Sequence, residues 1–136
     1  MKNVPGYLGS FAHDKLPKIE NELSCGIINL NNQDEAGSHW CCFYNRPTDK
    51  VIHYFDSYGV VPSNRIEKQL KNTKKKILYN TSQIQDQKSV KCGWYCYFFI
   101  KKMAKKMKYY DFIYQFNTKN RKKNDEILVK AVEKLL

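Results

Sequence analysis

The chain has 136 residues, 42% of them apolar and 14% aromatic, which is enough for one domain with its own core and too apolar for a disordered segment. The formal charge of +11, from 24 basic and 13 acidic residues, points either to a polyanionic neighbour or to a lysine-rich surface set by composition bias. No apolar run approaches the ~20 residues of a membrane helix, MKNVPGYLGSF lacks the apolar stretch of a signal peptide, and an odd count of five cysteines argues against a disulfide scaffold; a soluble chain made in the cytosol is expected.

Residues 1–20 carry Pro5, Gly6, Gly9 and Pro17 and read as loop with short helical turns. ELSCGIINLN (22–31) is a first strand, NNQDEAG (31–37) a polar turn and SHWCCFYN (38–45) a second strand. RPTD (46–49) turns the chain into KVIHYFD (50–56), so the second and third strands pair as an antiparallel hairpin. SYGVVPS (57–63) is loop, and Ser63 or Asn64 caps a helix through RIEKQLKN. KKILYN (75–80) is a fourth strand and TSQIQDQKSVK (81–91) a polar loop. From Cys92 the apolar residues Tyr95, Cys96, Phe99, Ile100 and Met103 recur at helical spacing. YYDFIYQF (109–116) is a further helical segment. After the basic stretch TKNRKKN (118–124), Asn124 reads as the N-cap of DEILVKAVEKLL, with Asp125 and Glu126 in its first turn. No repeat or linker divides the chain. A single domain over 1–136 of α+β class is expected: a small mixed or antiparallel sheet packed against helices, with a cysteine at the start of the central one.

That cysteine is the first candidate for chemistry. Cys92, followed by Gly93, stands where a helix should begin, and the partial positive charge of a helix N-terminus favours thiolate over thiol. A thiol nucleophile needs a base, a group that orients the base and donors for an oxyanion. The histidines are His13, His39 and His53. His39 is near the start of one hairpin strand and Asp56 near the end of the next, so the two can lie side by side. His53 is deeper in its strand and on the opposite face from Asp56. Gln83, Gln85 and Gln87 all precede Cys92, and any of them can supply an amide donor beside its backbone N–H. A zinc set drawn from His39, Cys41, Cys42, Cys92 and Cys96 lacks a Cys-x-x-Cys pair, and no metal is expected. The basic residues Lys101, Lys102, Lys105, Lys106, Lys108, Arg121, Lys122 and Lys123 are candidates for contacting DNA, with Lys101, Lys105 and Lys108 spaced to share one helical face.

Read in order, GSHW, YFDSYG and QIQDQKSVKCG resemble the adenovirus endopeptidase (adenain) family and the wider Ulp-type SUMO-protease group. The matching features are His39-Trp40 at a strand start, Phe55-Asp56-Ser57-Tyr58-Gly59, and Gln85 seven positions ahead of Cys92-Gly93. GYLGSFAHDKLP is similar to the family's opening, and the resemblance covers roughly residues 6–100. It implies a cysteine endopeptidase in which Cys92 is nucleophile, His39 base, Asp56 its orienting acid and Gln85 an oxyanion donor, with Trp40 and Gly93 in support. The small size resembles the maturation proteases of virophages and polintons. That implies capsid or virion precursors as substrates, cleavage at Gly-Gly-like sites, and a location in the virion and the host cytoplasm or nucleus. No cofactor is required; double-stranded DNA or a virion peptide is a candidate activator, and a monomer without membrane association is expected. KNTKKKILYN lacks the cysteine through which adenain's peptide activator is disulfide-linked. Two rival classes remain: a protease specific for ubiquitin-like modifiers, and a non-catalytic basic DNA-binding module.

Overall fold

In the computed structural model, which describes residues 3–30 and 39–135, the centre of the molecule is a five-stranded sheet. Its strands are Tyr7–Ala12 (β1), Ser24–Asn29 (β2), Trp40–Asn45 (β3), Val51–Phe55 (β4) and Lys76–Tyr79 (β5), lying in chain order. The inner pairs are antiparallel, with Ile28 opposite Cys41 and Phe43 opposite Tyr54, and the outer pairs β1–β2 and β4–β5 are parallel. The expected turn at 31–37 and Ser38 fall outside the described residues.

The β3 sequence WCCFYN is apolar at successive positions because both of its faces are covered. Cys41 and Phe43 join Leu16, Ile19, Ile52, Tyr54, Ile66 and Leu70 on one side, under helix Asn64–Leu70 (α1). Cys42 and Tyr44 face the larger cluster on the other side, under Cys92–Ala104 (α2), Tyr109–Tyr114 (α3) and Lys122–Leu135 (α4). That cluster is aromatic: Phe55 stacks on Phe99 at 5.1 Å between ring centroids, and Phe112 meets both rings edge-on. Each fully buried ring contributes about 1.5–3 kcal/mol of apolar burial, so α2 is anchored against β3 along its length. No helix among the described residues is long and apolar enough to cross a membrane.

The helix starts follow their signals to different degrees. Ser63 caps α1, its hydroxyl accepting from the Ile66 N–H. The N-cap of α2 is Lys91, which gives no side-chain cap, so the helix N-terminus is left to the groups around Cys92. At its other end α2 closes in a Schellman arrangement, with Lys106 N–H bonded to Met103 O, Met107 N–H to Lys102 O, and Lys106 itself at φ 68°.

Three expectations are corrected. The segment read as loop within 1–20 holds strand β1, paired in parallel with β2; its register slips between Tyr7 and Ser10, where Gly9 takes φ 120°. Asn124 does not cap α4, which begins two residues earlier; it is fully buried, accepting from Asn117 N–H and donating to the carbonyls of Ile84 and Asn117, each at 2.7 Å. Lys101, Lys105 and Lys108 do not share one helical face, because α2 ends at Ala104 and the left-handed turn at Lys106 redirects the chain before Lys108.

Candidate active site

The β3–β4 hairpin and the start of α2 converge on one point. His39 immediately precedes β3 and Asp56 immediately follows β4, and the antiparallel register brings them together across the hairpin. His39 Nε2 meets Asp56 Oδ1 at 2.7 Å, with Asp56 wholly buried and the His39 side chain 13% exposed. Nδ1 of the same ring is buried and is the nitrogen left for Cys92, whose thiol lies against His39. The backbone N–H groups of Trp40 and Gly93 also reach that sulfur.

These contacts set the protonation states. Burial disfavours the Cys92 thiolate, but the His39 contact and the two N–H groups outweigh it and bring the thiol below its usual value. Burial likewise opposes imidazolium at His39, yet the Asp56 hydrogen bond and the Cys92 thiolate raise it from 6.5 to about 9. The site therefore favours a thiolate–imidazolium pair. The other cysteines sit elsewhere in the core: burial pushes Cys25 up to about 12, and Cys41 and Cys42 well above the ordinary thiol range. All five cysteines are unbridged, and among the described residues no group of three or more His, Cys, Asp or Glu is placed to hold a metal.

Asp56 is held by its backbone as well as its carboxylate. Its N–H donates to Asn80 Oδ1 at 3.1 Å and its carbonyl accepts from Asn80 Nδ2 at 2.6 Å, while Oδ1 also accepts the Tyr58 N–H at 2.8 Å. Gly59 N–H closes the turn onto Asp56 O. Gly59 adopts φ 73°, and a Cβ there would stand 2.7 Å from Thr81 O, so only glycine fits. The ring of Tyr58 lies 4.5 Å from His39, tilted by 36°, and covers the imidazole. Oδ2 of Asp56 is buried with no hydrogen-bond partner.

Gln85 is fully buried beside this turn. Its Oε1 accepts from Ser57 Oγ at 2.6 Å and its Nε2 donates to Ser89 O and Oγ at 3.0 and 3.2 Å. Gln83 instead reaches the Gln85 carbonyl, and Gln87 is exposed. Trp40 contributes its backbone N–H to the site while its indole packs on the large aromatic cluster. A Cβ at Gly93 would meet nothing within 4 Å, so no close approach within the chain requires this glycine; the space in front of the helix start is open. Neither other histidine is in this constellation: His13 Nε2 pairs with Ser63 Oγ at 2.7 Å, and His53 lies against Tyr109 with Nδ1 4.0 Å from Asp49.

Tyr58, Ser57, Asn80, Ser89, Asn124 and Asp125 support the site without having been singled out for it from the sequence. Only Ser57 and Tyr58 carry a signal, lying inside the Phe-Asp-Ser-Tyr-Gly stretch; Ser89 lies four positions from Gln85 in a polar loop, and Asn80, Asp125 and Asn124 lie 24, 30 and 40 positions from Asp56, Tyr95 and Ile84.

A hairpin carrying His and Asp beside a helix headed by Cys is the layout of the adenain- and Ulp-type cysteine-protease fold, and the molecule has that fold. Two solved structures of the ASFV pS273R protease superpose on it with TM-scores of 0.51 and 0.52, at 24% and 23% identity. They match 66% and 71% of this chain, but the chain spans only 36% and 40% of theirs. The SUMO protease Ulp1, solved with its catalytic cysteine oxidised to a sulfinic acid, is a looser match: TM-score 0.45, 20% identity, over 79% of this chain and 53% of that one. No family model and no curated protein sequence matches the chain.

Proposed function

We propose that this chain is a cysteine endopeptidase of the viral maturation type, cleaving capsid or virion precursor proteins at small-residue, Gly-Gly-like sites. The contact line Cys92–His39–Asp56 at the head of α2 carries this reading. The Cys92 thiolate attacks the scissile carbonyl carbon, whose oxygen takes the negative charge. The N–H of Cys92 and one amide hydrogen of Gln85, drawn from its bonds to Ser89, donate to that oxygen. His39 then gives its proton to the leaving amine and a thioester remains on Cys92. Water, deprotonated by His39, attacks the thioester; the acid product leaves and the thiolate–imidazolium pair is restored. Asp56 keeps Nε2 occupied throughout, so Nδ1 stays turned to the sulfur. The open space before Gly93 leaves room for a substrate backbone next to the nucleophile.

The net charge of +11 supports duplex DNA as a partner and activator, held through exposed Lys105, Lys108 and Lys122 and half-buried Lys101 and Arg121. The test is cleavage of fluorogenic peptides containing Gly-Gly and of capsid-type precursors by the purified chain, with and without DNA at two salt concentrations. Turnover that Cys92→Ala abolishes supports the reading. No turnover by the parent in either condition, with no preferential alkylation of Cys92, overturns it.

A further inference from the structure

Asp125, on α4, lies 33 positions beyond the nucleophile, yet it is bonded into the loop that precedes Cys92. Its Oδ1 accepts from Ser89 Oγ at 3.1 Å and from Tyr95 Oη at 2.8 Å. A serine hydroxyl has one proton to give and two lone pairs to accept with. At Ser89 all three are assigned: the proton goes to Asp125, and Oγ accepts from Gln85 Nε2 and from Lys91 N–H, both at 3.2 Å. An ionised carboxylate can only accept, so Asp125 fixes the direction of the whole chain. Ser89 must donate to it and can only accept from Gln85, so the hydroxyl joins the Ser89 carbonyl, 3.0 Å from Nε2, in turning the Gln85 amide with Nε2 toward Ser89 and Oε1 toward the Ser57 hydroxyl. The same hydroxyl holds the N–H of Lys91, the N-cap whose next residue is Cys92. Asn124, one residue before, grips the loop's other end through the Ile84 carbonyl.

We infer that Asp125 is a positioning residue of the active site: through Ser89 it sets the orientation of the Gln85 amide and the backbone at the start of α2. The inference rests on the protease reading, and it assigns to the C-terminal helix a part in oxyanion binding as well as in packing. Acting through a neutral hydroxyl and an amide, Asp125 influences the transition state and leaves substrate docking untouched. Its loss lowers kcat and spares KM.

The experiment compares Asp125→Ala, Asp125→Asn, Tyr95→Phe, Gln85→Ala and the double variant Asp125→Ala/Gln85→Ala, reading kcat and KM on a cleaved peptide and the iodoacetamide rate at Cys92. Asp125→Ala is expected to lower kcat by about 10- to 100-fold with KM within about twofold, a fraction of what loss of a whole oxyanion donor costs. Asp125→Asn keeps an acceptor oxygen and should recover most of that loss. Tyr95→Phe removes the other bond to the same carboxylate, costs comparable packing and should leave kcat near the parent value. In the double variant Asp125→Ala should add less than about threefold to Gln85→Ala, because its effect runs through that amide. Fully multiplicative effects, or an equal loss in Tyr95→Phe, would show a structural role alone and overturn the inference. A parent that lacks both turnover and a privileged Cys92 overturns the protease reading and this inference with it. A parent with both whose Asp125→Ala form keeps its kcat overturns this inference only.

Discussion

The substitution Asp56→Asn tests the electrostatics of the site most directly. Asp56 Oδ1 accepts from both His39 Nε2 and the Tyr58 N–H, whereas Oδ2 has no partner, so an asparagine placing its oxygen at Oδ1 keeps the imidazole in the same tautomer and orientation. The negative charge is lost, and the amide NH2 takes the partnerless Oδ2 position, a cost in stability that does not vary with pH. His39 stands at about 9 against an ordinary value of 6.5, a difference equivalent to about 3 kcal/mol in favour of imidazolium. Burial opposes the charged ring, and without the Asp56 charge the Cys92 thiolate is left to oppose burial, so the value in the variant should fall to near or below 6.5. At pH 8 about 90% of the parent's His39 is then charged but only a few per cent of the variant's, a loss of roughly 30-fold in the ion pair from the titration alone. The assay is the pH dependence of kcat/KM and of Cys92 alkylation between pH 5 and 10. The parent's basic limb is expected near pH 9 and the variant's near or below pH 6.5. An unmoved basic limb, or a loss of equal size at pH 6 and pH 8, would refute this account and leave Asp56 a steric role. Stability has two parts of opposite sign. The raised His39 stabilises fully below pH 6.5 and that share is lost as pH rises through about 9; the lowered Cys92 stabilises above pH 9.0 and that share is lost as pH falls through its folded value.

The remaining predictions are local. His39→Ala should cut kcat/KM by on the order of 10³-fold or more, while His53→Ala, which loses a buried contact with Tyr109, should cost about 1–3 kcal/mol of stability and little activity; the reverse pattern in paired kinetic and thermal measurements would remove His39 from the site. Limiting iodoacetamide followed by peptide mapping should find Cys92 modified ahead of Cys25, Cys41, Cys42 and Cys96, the last four being 0–1% exposed in the core. Lys106→Gly should stabilise the chain by about 0.5–1 kcal/mol in chemical denaturation, since Lys106 sits at φ 68° where a side chain is strained; a loss of stability would mean that its side chain carries an unrecognised contact.

The parts of this molecule that could be read from its sequence are those whose geometry is local. His39 and Asp56 lie 17 positions apart on one hairpin, so strand alternation and a four-residue turn suffice to bring them together. The helix headed by Cys92 announces itself through its apolar spacing, and Ser63 through its place before RIEKQLKN. Strand β1 does not announce itself. Its glycines look like turn residues, and what makes it a strand is β2, a partner reached only after the intervening segment has folded back in parallel. Asn124 was misread for a related reason: at a helix start an asparagine has two ways to use its amide. Here the nearby carbonyls of Ile84 and Asn117 claim it, which draws the residue inside the first turn of α4. The shared face expected of Lys101, Lys105 and Lys108 is broken because α2 ends at Ala104 and Lys106 turns left-handed, a stop that no Gly or Pro marks in the sequence.

Why α4 should be tied so closely to Cys92 follows from what the 81–91 segment lacks. Its backbone is neither helix nor strand, so no ladder fixes Gln85 relative to Cys92. A buried amide left to itself can rotate, and an unsatisfied donor or acceptor costs about 1–3 kcal/mol, so its orientation comes from partners that are themselves held in place. Two sources are present: Ser57, carried by the same turn that presents Asp56, and Ser89, polarised by Asp125. The first couples Gln85 to Asp56 and His39, the second to α4. Because α4 contacts α2 and shares its core cluster through Leu128 and Val132, the element that helps orient the amide and the element that carries the thiol are packed together. Loosening α4 without touching any residue around Cys92, as Leu128→Ala would, should therefore lower kcat in the folded protein in parallel with local amide exchange at residues 85–91. Faster exchange there with kcat unchanged would show that the loop holds its geometry without the helix.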